Sequence, residues 1–104
     1  MERVGFVMRL LPGQEAEYRR RHAAVWPEML DALRAAGARN YSIYLRGDDL
    51  FGYLEVEDLE RFRRDMAASE VNARWQQGMA PLIDPLTDPA TGFHRRLNEV
   101  FHLD

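Results

Sequence analysis

The sequence predicts an α+β domain in the order β-α-β-β-α-β, its strands forming one antiparallel sheet. Three observations carry that prediction. Short runs rich in β-branched and aromatic residues, closed by turn residues, alternate with longer stretches of helical period. The two middle strand-like runs are separated only by Gly47-Asp48-Asp49, which fits a hairpin. The chain has 104 residues, enough for one hydrophobic core and too few for two, so a single domain over 1–104 is expected.

The first run, Val4 to Leu11, stops at Pro12-Gly13 and reads as a strand whose more hydrophobic face is Val4, Phe6, Met8 and Leu10. Val7 on the other face suggests burial on both sides. Gln14 to about Ala36 is helical in pattern, with Tyr18, His22, Val25, Trp26, Met29 and Leu33 on one arc and Arg20, Asp31 and Arg34 opposite. Pro27 interrupts this pattern, because a proline removes a helical hydrogen bond and disfavours helical angles at Trp26. A break at Ala23–Trp26 is expected, with Pro27 opening a second segment, His22 in the last turn of the first, and Gly37 as the residue that ends the second. Arg39 to Arg46 is a strand with Tyr41, Ile43 and Leu45 on one side and Ser42 and Tyr44 on the other. Leu50 to Val56 returns, with Phe51, Tyr53 and Glu55 on one face and Leu50, Gly52, Leu54 and Val56 on the other. Asp58 caps a helix to about Ala68, and Ser69 caps another from Glu70 to about Leu82. Ile83 to His94 carries two prolines and a glycine and reads as a loop; Arg96 to Leu103 reads as the last strand.

This order is the ferredoxin-like split arrangement, with helices on one face of the sheet. The other face would carry large apolar residues with no further helix to cover them. Pairing of two copies through their sheets, as in dimeric α/β-barrel proteins, is the economical solution.

Composition removes several function classes. Hydrophobic residues are 46% and charged residues 30% of the chain, which fits a globular protein rather than a disordered one. Fourteen basic residues are interspersed among seventeen acidic ones, so no strong field invites nucleic acid; Arg19-Arg20-Arg21 is too short to change that and reads as solvated helix surface. Cysteine is absent, which excludes disulfide and thiol chemistry and fits a reducing compartment. No apolar run approaches the roughly 18–20 residues of a membrane span, and Met1 to Val4 lacks the apolar core of a secretory signal. No membrane partner is expected, and the cytoplasm is the expected compartment.

The stretch from Tyr18 to Glu28 is the candidate site, with a place in the core as the competing reading. Tyr18 and His22 lie four apart, so on a helix both address one small volume: a phenol that can hold a hydroxyl-bearing ligand beside an imidazole that can move a proton. A lone histidine on an apolar face is more often a core residue than a catalyst. Tyr18 and Trp26 on the same arc favour the functional reading, because sites for polyols combine aromatic platforms with a few polar groups. His94 and His102 lack such company, and His102 falls on the terminal strand. The three histidines have no metal-ligand spacing, and no phosphate loop or nucleophile elbow occurs. Trp75 is ambiguous between core and stacking platform.

Tyr18-Arg19-Arg20-Arg21-His22 with Val25-Trp26-Pro27-Glu28 resembles the first-helix signature of the L-rhamnose mutarotase family. Asn40 to Leu45 resembles its second strand, and Glu99 to Leu103 its C-terminal strand; the similarity runs over essentially the whole length. The resemblance implies a homodimer of ferredoxin-like subunits that interconverts the α and β anomers of L-rhamnose with no metal or cofactor. It implies His22 as proton donor and Tyr18 and Tyr41 as sugar contacts. A family Trp-Trp pair that binds substrate corresponds here to Trp75 and Gln76. Gln76 therefore departs from the pattern, trading an aromatic wall for an amide that can donate and accept hydrogen bonds. The loop Asp84–Phe93 diverges as well. Two other readings share the architecture: a cofactor-independent monooxygenase of the dimeric α/β-barrel type, supported by fold analogy alone, and a non-catalytic sugar-binding or dimerisation module.

Overall fold

The first strand, β1 (Glu2–Leu10), is the spine of the molecule in a computed structural model that describes all residues, Met1–Asp104. It is followed by helices α1 (Glu15–His22) and α2 (Pro27–Ala35), and by strands β2 (Arg39–Arg46) and β3 (Asp49–Val56). Helices α3 (Leu59–Ala67) and α4 (Glu70–Met79) come next, then the short strands β4 (Ile83–Asp84) and β5 (Arg95–Leu97). The sheet order is β2-β3-β1-β4, with β5 also on β1, and every pairing is antiparallel. The expected strand and helix order holds, with each helical stretch in two pieces.

The alternation of β1 and β3 decides which face is covered. Val4, Phe6, Met8 and Leu10 are buried, as are Leu50, Leu54 and Val56, and Tyr18, Met29, Phe62, Trp75 and Met79 from the four helices pack with them in one core. Each such side chain contributes about 1.5–3 kcal/mol by leaving water. Gly52 lies opposite Phe6 in the β1–β3 register for a steric reason. A Cβ at Gly52 would come within 2.5 Å and 2.7 Å of the Phe6 Cε2 and Cε1 atoms, so only a glycine lets that ring lie across the neighbouring strand. Val7, on the opposite face, is only half-buried.

The chain breaks at Trp26-Pro27 as its chemistry demands. Trp26 is extended (φ −56°, ψ 133°), Pro27 is the first residue of α2, and His22 is the last of α1. Gly37, at φ +100°, ends α2 in the left-handed conformation that glycine adopts without a Cβ penalty. Asp58 and Ser69 cap α3 and α4, each accepting a backbone N–H at 3.1 Å, from Arg61 and Asn72. α4 stops three residues short of the expected Leu82, because Pro81 has no N–H to continue the ladder.

Two expectations need correction. The stretch 83–94 is not only a loop: Ile83 and Asp84 pair with Leu10 and Arg9, and Thr87 bridges His94. Asp88 N–H donates to the Phe93 carbonyl (2.7 Å) and Arg95 N–H to that of Leu86 (3.1 Å), so the segment folds back as a small hairpin. The last strand is also shorter than the expected Arg96–Leu103, ending at Leu97. With Gly5 opposite Leu97, continuing the register would put Val100 opposite Glu2 and Phe101 opposite Met1. The ladder nevertheless stops at Leu97, three residues before the end of β1. No helix is long and apolar enough to cross a membrane.

Candidate active site

A cavity of about 720 Å³ opens between the sheet and the helices, a size within the usual range for small-molecule sites. Phe6 forms part of its floor. His22 enters it from the end of α1, Tyr41 from β2, and Trp75 and Gln76 from α4. The structure thus brings together four of the five residues singled out in the sequence. The fifth, Tyr18, is not part of the lining; it stands behind His22, rings stacked at 4.0 Å between centroids.

His22 is held by its own helix. Its Nδ1 is 3.0 Å from the Tyr18 carbonyl oxygen, and since a carbonyl only accepts, Nδ1 carries the proton. His22 and Trp75 meet in a T-shaped contact with centroids 5.5 Å apart, and Trp26 and Trp75 in another at 5.1 Å. Burial pulls the His22 pKa below its ordinary 6.5, opposed by the bond to the Tyr18 carbonyl. Nε2 has no partner in the chain, yet no enclosed side-chain nitrogen or oxygen is left unsatisfied. Nε2 therefore still touches open space. The end of α1 is tied to α4 by Arg21, whose guanidinium donates to the Gly78 carbonyl (2.5 Å) and to Glu17 (3.0 Å). Arg19 and Arg20 bond to Glu15 and Glu17, so the basic triplet is an ion-paired helix surface.

Tyr41 is aimed by an irregularity in β2. Arg39 faces Glu55 and Ser42 faces Tyr53, leaving Asn40 and Tyr41 together opposite Leu54. Asn40 takes up the bulge at φ 50° and anchors it by donating to Glu55 at 2.7 Å. Bulges of this kind re-aim a side chain, and here Tyr41 reaches over Phe6, ring centroids 6.1 Å apart. Its hydroxyl is pushed well above the ordinary phenol range by burial and, secondarily, by the nearby Tyr18 hydroxyl, which burial in turn pushes up to about 12. Both phenols are therefore neutral donors at any physiological pH. Gln76 is exposed and donates to Asn72 Oδ1 at 3.2 Å, which leaves its carbonyl oxygen available.

The sequence reading passed over His94. The 86–95 hairpin places it in the same cavity, stacked on Phe6 at 4.9 Å with Phe93 beside it, so it does have aromatic company. Nothing local signals this, because Phe6 lies at the other end of the chain. His102 is not on a strand; it is exposed and bonds Asp104 at 2.7 Å.

Comparison with known proteins accords with this geometry. Residues 3–103 match the family model described as L-rhamnose mutarotase. The chain is 41% identical to an L-rhamnose mutarotase of Oceanobacillus iheyensis and 43% identical to one of Bacillus subtilis, covering all of each chain in both cases. It is 45% identical to one of Listeria monocytogenes over 99% of both chains. The crystal structure of an L-rhamnose mutarotase from Formosa agariphila superposes with a TM-score of 0.82 at 30% identity, over the whole of both chains. That neighbour supports the ferredoxin-like reading of the sheet and helices. The chain belongs to the L-rhamnose mutarotase family.

Proposed function

We propose that this protein is a mutarotase that interconverts the α and β anomers of L-rhamnose, or of a closely related sugar, by acid–base ring opening and reclosure. The observation that carries the proposal is the cavity in which an imidazole with an open Nε2 faces a phenol, an indole and an amide. Mutarotation needs a proton delivered to the ring oxygen O5 as the C1–O5 bond breaks, and a proton taken from the anomeric hydroxyl O1. The resulting open aldehyde turns about C1–C2 and closes with the transfers reversed. His22, protonated, donates from Nε2, since its Nδ1–H is committed to the Tyr18 carbonyl. Trp75 offers a flat apolar face to the sugar, Tyr41 and Gln76 offer hydrogen bonds to its hydroxyls, and Tyr18 backs His22 by stacking on its ring. General acid–base catalysis gives roughly 10²–10⁴-fold, which suffices for a reaction that already proceeds in water. The oxygenase alternative had only shared architecture behind it, and the family match favours mutarotation.

The same proposal includes a homodimer and a cytoplasmic location; the cysteine-free composition suits the latter. In the β-sheet register Tyr44, Phe51, Val7 and Arg95 form one row on the face without helices, and Ser42, Tyr53, Gly5 and Leu97 form the next. Tyr44 and Leu97 are 66% and 47% exposed, and Val100, Phe101 and Leu103 of the tail are more exposed still, an apolar surface that a second copy would cover.

The test of function is exchange between the anomers of L-rhamnose, followed by saturation transfer or polarimetry, with related 6-deoxy sugars and pentoses beside it. The expected result is faster exchange with protein present. No acceleration with any of these sugars would refute the reading.

A further inference from the structure

The reaction needs two proton-handling groups, and the cavity holds a second imidazole. We propose that His94 is the catalytic partner of His22, taking the proton from the anomeric hydroxyl while His22 delivers one to the ring oxygen; this rests on the mutarotase reading above.

The two histidines are built alike. His94 Nδ1 lies 2.9 Å from the Pro85 carbonyl oxygen, as His22 Nδ1 lies 3.0 Å from that of Tyr18, so each ring is fixed in the tautomer that keeps its proton on Nδ1. Each Nε2 has no partner in the chain and is not enclosed, and both rings line the one cavity. Stacking on Phe6 at 4.9 Å with only 14° between the planes covers one face of His94, Phe93 packs against the ring at 5.0 Å, and the Nε2 edge stays free. Rival bases are poorly placed. Glu60 is the one carboxylate in the lining, and it is bound by Arg63 at 2.5 Å. Tyr41 holds its proton too tightly to act as a base.

Burial pulls the pKa of both histidines below 6.5, with the backbone hydrogen bond opposing it in each case. The resting pair is therefore neutral at pH 7, and the reactive form carries one proton over the two rings. During opening, the Nε2 lone pair of His94 takes the O1 proton, electrons from the O1–H bond form C1=O, C1–O5 breaks, and O5 takes the Nε2 proton of His22. Closure on the other face of C1 reverses both transfers, so no proton is gained or lost. Other charged groups that line the cavity with His94 are Glu60, Arg63 and Arg64 of α3; α4 contributes only an indole and amides to the lining, and Asp84 and Asp88 of its own hairpin accept from the backbone amides of Leu86 and Ala90.

His94→Asn tests the proposal, because the Asn amide can still donate to the Pro85 carbonyl while nothing basic replaces Nε2. In the intact protein, kcat for L-rhamnose anomer exchange is expected to fall about 10²-fold or more, with KM little changed. The parent profile should be a bell peaking below about pH 6.5, its acid side reporting His94 and its alkaline side His22. In His94→Asn the acid side should disappear, and added imidazole should restore part of the rate. His94→Gln supplies the same readouts if the Asn variant does not fold. Exchange within about threefold of the parent would overturn the proposal, as would a loss of rate that leaves the acid side of the profile in place. A parent that does not accelerate exchange overturns the mutarotase reading itself, and this one with it.

Discussion

Replacing Gly52 with alanine should damage fold and site together. The new Cβ would meet Phe6 at 2.5 Å from Cε2 and 2.7 Å from Cε1, against an ordinary carbon–carbon separation of about 3.5–4.0 Å. The ring must therefore retreat by roughly 1 Å or more. Phe6 is 1% exposed and touches Tyr41, Phe93 and His94, so the open direction is into the cavity it floors. Overpacking of this sort costs about 1–3 kcal/mol. For a domain of this size that is a fall in melting temperature of roughly 4–20 °C. Thermal unfolding followed by circular dichroism measures it directly, and the KM for sugar should rise because the floor has moved. Phe6→Leu in the Gly52→Ala background should recover part of the loss, giving a coupling of about 1 kcal/mol or more in a double-mutant cycle. A melting temperature within about 1 °C of the parent would refute the packing described for Phe6.

Two further outcomes follow from the site. Gln76→Trp should add an aromatic wall beside Trp75 and lower the KM for L-rhamnose about 2–13-fold, the value of one aromatic contact, while weakening sugars that carry a hydroxyl in place of the methyl group; steady-state exchange rates on paired sugars decide this, and unchanged preference would show that Gln76 does not meet the substrate. Stability should fall as pH drops from 7.5 toward 5: the folded-state pKa values of His22 and His94 are depressed, so below 6.5 the unfolded chain binds protons that the folded chain resists. Melting temperatures across that range measure the slope, which His22→Asn and His94→Asn should each flatten. The carboxylates Glu17 and Glu99, lowered by their arginine partners, and Glu55, lowered by hydrogen bonds from Asn40 and Tyr53, act in a separate and more acidic window.

Much of this architecture was legible in the sequence, where one residue dictates its own backbone. Pro27 announces the break, Gly37 and Gly47 the turns, Asp58 and Ser69 the helix starts, and strict alternation gives the buried face of β1 and β3. Tyr18 and His22 could be paired because helical spacing is local, and the further members of the site came from family resemblance. What escaped was set by contacts distant in sequence. His94 acquires its place only when the proline-rich hairpin lands on Phe6, and composition showed that segment as loop without showing where it lands. The last strand stops at Leu97, opposite Gly5, although Glu2–Val4 of β1 lie ahead in the same register, and no local residue pattern marks that stop. The bulge at Asn40 that turns Tyr41 into the cavity likewise has no mark in a run that alternates well enough for a regular strand.

In the proposed mechanism the open Nε2 of His22 moves the proton. His22→Asn keeps an amide donor for the Tyr18 carbonyl and removes that nitrogen. Measured at equal folded concentration, the variant should lose about 10²–10⁴-fold in the exchange of α- and β-L-rhamnose while unfolding near the parent temperature. A folded His22→Asn protein that exchanges the anomers at the parent rate would contradict the account.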